Sequence, residues 1–216
     1  KSHYIGCKNL SEIFLQKKIT SFIQIGSSAE YGKNKSPQKE TQVCKPSSIY
    51  GSSKLRATKY LVNLNFKKKF PCTVLRLYQV YGPFQDYNRF IPIIIKSCFN
   101  NSSFPCSHGG QLRDFTYVSD VVDAIIKTLN EKKSNGKIIN IGTGKVQKLK
   151  KVIERVRKII KNGKPLYGRI KLRKDEIINV SPSLNRAKKI LKWKPKTNFK
   201  YGLSQTINFI QKDLAK

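Results

Sequence analysis

The sequence predicts an α/β protein with a mostly parallel sheet, and three observations carry that prediction. Short β-rich runs alternate with longer amphipathic ones. Glycine or serine clusters stand where the strands end, as at Gly26-Ser27-Ser28, Tyr81-Gly82-Pro83 and Gly142-Thr143-Gly144. A chain of 216 residues, 38% of them hydrophobic, is long enough for one large domain, or a domain with a lobe, around a real core.

Taken in order, apolar Leu10, Ile13 and Phe14 fall on one face of a segment ending near Lys17, which reads as the end of a helix. Ser21 to Ile25 is strand-like. After a polar, proline-containing loop, Ser47-Ser48 can cap a helix from about Ile49 to Lys67. Cys72 to Leu77 is a second strand. Phe90 to Cys98 reads as helical, with Pro92 tolerated near its start. Asp114 to Val118 is a strand, and Ser119 is placed to cap a helix through Leu129. Lys137 to Ile141 is another strand. Leu149, Val152, Ile153, Val156, Ile159 and Ile160 form one face of the next helix. Ser183 to Leu191 and Tyr201 to Lys212 are expected as surface helices around Trp193 and Pro195. Regularity weakens after Gly144, which divides the chain into residues 1–144 and a smaller lobe, 145–216, with some lobe segments arising earlier in the chain.

The formal charge is +32, from 44 Lys+Arg against 12 Asp+Glu. A basic chain invites a nucleic-acid reading, because cations on phosphates release counterions. Here the excess is spread along the chain and carried by lysine, without aromatic stacking residues in a recognisable binding module. Solvated lysine faces are the plainer reading, with a share left for attracting an anionic, phosphate-bearing substrate. Five cysteines without a C-x-x-C pair, and two histidines, give no metal constellation; reduced thiols in a cytoplasmic protein are expected. No apolar run approaches the ~20 residues of a membrane helix, and no signal peptide opens the chain.

A tyrosine four residues before a lysine on a helix puts both side chains on one face. The ammonium then favours the phenolate, and such a tyrosine can move a proton to or from a sugar hydroxyl. The chain holds four such pairs, Tyr4/Lys8, Tyr31/Lys35, Tyr50/Lys54 and Tyr167/Lys171, so spacing alone selects none. Context selects Tyr50/Lys54, which opens a long helix after a strand that ends in serine. Ser27 is then placed to donate to the substrate oxygen that Tyr50 protonates.

The segments Gly26-Ser27-Ser28-Ala29-Glu30-Tyr31-Gly32 and Ser48-Ile49-Tyr50-Gly51-Ser52-Ser53-Lys54 resemble the extended short-chain dehydrogenase/reductase family, in its nucleotide-sugar epimerase/dehydratase branch. Arg76 to Pro83, Asn88 to Pro92, Arg113 to Val118, Asn140 to Gly144 and Ala187 to Pro195 follow in that family's order. The resemblance implies a Rossmann-type, doubly wound parallel sheet with a smaller C-terminal substrate lobe. It implies an NAD(P)-dependent epimerase or 4-ketoreductase exchanging hydride at sugar C4, with Ser27, Tyr50 and Lys54 catalytic. Tyr50, Lys54 and Tyr78 would meet the cofactor, NAD or NADP. Asn88, Arg113 and Arg173 would hold the diphosphate of a nucleotide-sugar, a task that suits arginine's planar fork. Arg89 and Arg169 read as solvated surface charges. Ser28 and Ala29 stand where sugar 4,6-dehydratases carry Asp-Glu, which disfavours a dehydratase, and Gln79 replaces a frequent Asn. A homodimer is expected; a membrane or nucleic-acid partner is not. The rival reading is a non-catalytic member of the fold that binds RNA or a protein.

The family's Gly-rich turn for the cofactor pyrophosphate is not among these residues. With no methionine and a start at Lys1-Ser2-His3-Tyr4, the chain reads as lacking its N-terminal part. The 216 residues alone are therefore expected to bind NAD(P) weakly and to turn over no nucleotide-sugar. Calorimetry with NAD and NADP checks this: micromolar affinity would place the cofactor site elsewhere.

Overall fold

The computed structural model describes residues 2–173 and 176–215. Helix α1 (Ser2–Leu15) leads into strand β1 (Phe22–Ser27), which ends in a one-turn 3-10 helix (Ser28–Tyr31). Helix α2 (Ile49–Lys68), strands β2 (Cys72–Leu77) and β3 (Gln79–Tyr81), helix α3 (Phe90–Phe99) and strand β4 (Ser103–Pro105) follow. Next come β5 (Leu112–Tyr117), α4 (Val118–Leu129), β6 (Ile138–Ile141), β7 (Val146–Lys148) and α5 (Leu149–Ile160). The last elements are β8 (Lys164–Leu166), β9 (Asn179–Val180), α6 (Asn185–Leu191) and α7 (Phe199–Leu214).

Strands β1, β2 and β6 form an all-parallel sheet in that order, with Ile25 opposite Leu75 and Leu75 opposite Ile139. A second, mixed sheet centres on β5, which pairs in parallel with β3 and β9 and antiparallel with β7. β4 and β8 form a parallel pair apart from both. The α/β class and the parallel sheet expected from the alternation are both present.

The core forms three clusters. Cys7, Ala57, Leu61, Leu64, Phe70, Cys72 and Val74 join α1 and α2 to the first sheet. Leu75, Ile139 and Ile141 pack on its other side with Ala124, Ala187, Leu191 and Trp193. The largest cluster joins α3, β4 and β5 to α5 and α7. Segments from before and after residue 145 thus share both of the last two clusters.

One expectation needs correction. Ser119 does not cap α4: the N-cap is Tyr117, with no side-chain hydrogen bond, because the helix begins two residues earlier than the serine requires. The last two helices lie at the surface, each with one face buried. α6 buries Ala187 and Leu191, α7 buries Leu203, Ile207 and Ile210, and Trp193 is fully enclosed, its indole N–H donating to the Asp120 carbonyl.

Candidate active site

The site begins where β1 stops. Ser27 is the last residue of the strand and also the N-cap of the 3-10 turn. Its Oγ accepts from the Ala29 N–H at 3.2 Å, while its own N–H donates to Glu30 Oε1 at 2.9 Å. This reciprocal capping box satisfies two otherwise unpaired donors at once. Because Ser27 Oγ already accepts from the backbone, its hydroxyl hydrogen is left for another acceptor.

Glu30 ties the corner together. It is fully buried, and its Oε2 accepts from Thr58 Oγ1 of α2 at 2.9 Å and from Arg76 of β2 through Nε at 2.9 Å and Nη2 at 2.8 Å. One carboxylate therefore fastens the serine turn, the helix carrying Tyr50 and the neighbouring strand. Burial opposes the charge of Arg76, yet Glu30 and the Tyr31 ring face 4.5 Å from its guanidinium carbon hold its pKa above the ordinary value. Gly26 makes room for this carboxylate: a Cβ there would lie 2.7 Å from Glu30 Oε1. Tyr31 is buried as well, donating to Asn140 at 2.8 Å, and burial pushes its hydroxyl up to about 12.

Helix α2 starts beside this turn. Ser48 caps it by accepting from the Gly51 N–H at 3.0 Å. Gly51 lets the helix lie directly on the serine turn, since a Cβ there would come within 2.5 Å of the Ala29 carbonyl oxygen. Tyr50, 47% exposed, faces the open cleft, with the His3 ring edge-on at 5.3 Å. Lys54 follows one turn later, its ammonium 5.8 Å from the Tyr50 ring centroid and donating to the Ile25 carbonyl at 2.9 Å. Burial holds the Lys54 pKa below its ordinary value, with Glu30 opposing.

A cleft of about 900 Å³ collects these groups. Ser27, Tyr50, Tyr78, Arg113 and Arg173 all line it, the two arginines meeting although 60 residues separate them. Lys54 lies behind the Tyr50 wall rather than on the lining. Tyr78 is buried and commits its hydroxyl hydrogen to Gln38 at 2.9 Å. Asn88 is exposed and absent from the lining, whereas Arg89, read as a surface charge, is on it. Gln79 lines it too.

Other members of the site escaped the sequence reading. Glu176 sits against Arg113, bonded to its Nη2, and its second oxygen accepts from Arg173 Nη2 at 3.3 Å. Asp114, beside Arg113 in sequence, is buried in the cleft wall, where its Oδ1 accepts from the Thr143 N–H at 2.7 Å. Burial raises the Asp114 pKa against that contact. An acidic residue in a basic stretch was the available signal for Glu176, since a buried cleft with two arginines needs a counter-charge. His3 gave no signal, because its place beside Tyr50 depends on how α1 crosses α2.

Comparison with known proteins gives this geometry its context. The sequence model of the NAD dependent epimerase/dehydratase family matches residues 1–142. An uncharacterized UDP-glucose epimerase of Bacillus subtilis is 29% identical over 206 residues, covering 94% of this chain and 64% of its own length. The CDP-abequose synthase of Salmonella muenchen is 39% identical over 106 residues, covering 48% of this chain and 36% of its own. Among solved structures, the UDP-glucose 4-epimerase of Thermotoga maritima with UDP-glucose superposes with a TM-score of 0.93 at 27% identity, over 99% of this chain and 71% of that one. The chain thus spans less than two thirds of the Bacillus relative it matches. By the family match and the fold together, the chain belongs to the NAD dependent epimerase/dehydratase family.

Proposed function

We propose that this chain carries the catalytic and substrate-binding part of an NAD(P)-dependent nucleotide-sugar epimerase or 4-ketoreductase. The observation that carries the reading is that Ser27 and Tyr50 share one cleft with Arg113 and Arg173, while Lys54 stands one helical turn behind the tyrosine. The relatives point the same way: a UDP-glucose epimerase and a 4-epimerase solved with UDP-glucose. Solved structures of similar fold include complexes with UDP-glucuronic acid and NAD.

The donor set suits the nicotinamide end of the cofactor. An ammonium has three protons; Lys54 spends one on Ile25, leaving others for ribose hydroxyls. NAD(P), when bound, supplies hydride acceptance and donation at the sugar carbon. The chain's residues do the rest. Arg113 and Arg173 grip the diphosphate, which fixes the sugar in the cleft. Ser27 donates its free hydroxyl hydrogen to the C4 oxygen, and Tyr50 takes or returns the proton of that oxygen as the carbon changes oxidation state.

Two outcomes share this machinery. A ketone that turns and is reduced from its other face gives epimerisation; a ketone that arrives and is reduced once gives a ketoreductase. Assay on UDP-glucose of this chain joined to an upstream segment that carries the cofactor-pyrophosphate turn separates them: product without net NAD(P)H use marks the epimerase, stoichiometric consumption the reductase. Absence of either on a panel of nucleotide-sugars would return the chain to a binding role. A homodimer belongs to this reading, supported by Ile5, Leu10, Ile13 and Phe14, which α1 leaves exposed, and sedimentation tests it. A reducing, cytoplasmic setting is supported by the free thiols of Cys7, Cys72 and Cys98, which burial raises to about 11 and so keeps unreactive.

Arg113→Ala is expected to weaken UDP binding by about 1.5–3 kcal/mol, the usual worth of a charged hydrogen bond. Titration calorimetry checks it, and an unchanged affinity would make Arg113 a scaffold residue.

A further inference from the structure

Tyr50 is flanked by two basic side chains, and only one of them is committed. Lys54 donates to the Ile25 carbonyl at 2.9 Å. His3, on α1, stands edge-on to the Tyr50 ring, with centroids 5.3 Å apart, and lines the same cleft as Ser27 and Tyr50. Neither the His3 imidazole nor the Tyr50 hydroxyl has a hydrogen-bond partner among the described residues, so both present free polar atoms to one space. His3 is exposed, so an imidazole that touches the tyrosine also reaches water. Three influences hold its pKa below the ordinary value: burial first, then the Lys54 ammonium on α2, then the terminal amine of its own helix. The ring is therefore neutral at neutral pH and readily gives up a proton that it has gained. The other histidine, His108, is engaged in a turn of its own, where its Nδ1 accepts from the Gly110 N–H at 2.9 Å.

We propose that His3 is the group through which Tyr50 exchanges its proton with solvent. This rests on reading Tyr50 as the proton donor to the sugar C4 oxygen. When a C4 ketone takes up hydride from NAD(P)H, the ketone is reduced, the cofactor is oxidised, and the Tyr50 hydroxyl proton goes to the oxygen. A tyrosinate is left, and it must regain one proton before the next turnover. His3, protonated by water, returns that proton across the ring contact and is left as the neutral imidazole. One proton is thus drawn from solvent for each ketone reduced, and oxidation of the alcohol runs the same steps in reverse. An imidazole suits this traffic because it gains and loses a proton within the ordinary pH range. Lys54 is placed differently, with one proton spent on the Ile25 carbonyl. The two bases divide the work, Lys54 holding and His3 exchanging.

The test uses this chain joined to an upstream segment that carries the cofactor-pyrophosphate turn. Reduction of a 4-keto nucleotide-sugar by NAD(P)H is followed in wild type, His3→Ala, His3→Phe and Tyr50→Phe. Phenylalanine keeps the edge-on ring and removes the proton carrier. Both His3 variants are expected to lose about tenfold or more in kcat, with UDP affinity unchanged. Added imidazole is expected to restore His3→Ala, where it finds a vacated space, and not His3→Phe. A loss that imidazole does not restore would make His3 a packing residue, and wild-type turnover in His3→Phe would overturn the relay outright. Tyr50→Phe separates the two readings. If it keeps its turnover, Tyr50 is not the donor and the relay falls with it; if it alone is impaired, only the relay falls. A wild type that reduces no such ketone overturns the relay together with the reading on which it rests. On this chain by itself, NMR resolves the contact, because only His3 and His108 give imidazole signals. Tyr50→Ala should move the His3 ring signals, and Lys54→Gln should raise the His3 titration midpoint by removing the ammonium that lowers it. Signals unmoved in both variants would overturn the inference at its structural root.

Discussion

In a protein that also carries the cofactor-pyrophosphate turn, replacing Tyr50 with phenylalanine is expected to lower turnover by about 10²-fold or more, the usual contribution of a positioned general acid/base. The substitution removes one oxygen and leaves the ring, so the edge-on contact with His3 at 5.3 Å and the helix start at Ile49 persist. The loss should therefore fall on kcat and leave UDP affinity, which is proposed to rest on Arg113 and Arg173, within about twofold. The measurement is steady-state turnover of the nucleotide-sugar on which wild type is most active, with UDP titration beside it. Near-normal kcat would mean that a different group moves the proton.

The second large effect is on stability. Glu30→Ala is expected to cost about 3–5 kcal/mol, because it leaves the Arg76 guanidinium charged, buried and uncompensated. Arg76 is 1% exposed and one of its terminal nitrogens, Nη1, already lacks a partner among the described residues. The alanine would also take the acceptor from the Ser27 N–H and from Thr58. Urea denaturation measures the loss. Removing both charges, as Glu30→Gln with Arg76→Met, should recover much of it, since no uncompensated charge is then left buried and the amide oxygen can still accept from Thr58 or the Ser27 N–H. If the single variant were as stable as wild type, the pair would be passive filling and the serine corner would be held by the backbone alone.

What the sequence revealed follows from which interactions are local. Cys72 to Leu77 reads as a strand because it is a continuous β-rich run between Pro71 and Tyr78, and the structure has it over those residues. The start of α2 at Ile49 was legible from Ser48, whose capping hydroxyl is within three residues of its partner. The short strands β3, β4, β7, β8 and β9 span two or three residues each and exist only because distant segments run beside them, as Phe104 does beside Pro165. No local pattern announces such a strand. The inner face of α6 is less legible for a related reason: Lys188, Lys189 and Lys192 mark the wet face, while Ala187 and Leu191 are too few to announce the buried one. In the site, Ser27, Tyr50 and Lys54 could be singled out by context. The roles of Glu30 and Glu176 could not, because each is defined by an arginine 46 or 63 residues away.

Trp193 closes the hydrophobic space against Leu75 and Ile139, on the strand beside the one that ends in Ser27 and on the next strand out, and its indole is pinned to α4. A chain leaving the ribosome makes this tryptophan more than 160 residues after β1. At synthesis rates of about 5–20 residues per second, the sheet beside Ser27 stays open to water for roughly ten seconds or more after its own strand has appeared. During that interval the nascent protein exposes the apolar strands of a parallel sheet, the kind of surface that chaperones hold and that premature contacts ruin. Docking of α6 and Trp193, rather than formation of the Ser27 turn, is then the last step in closing this layer.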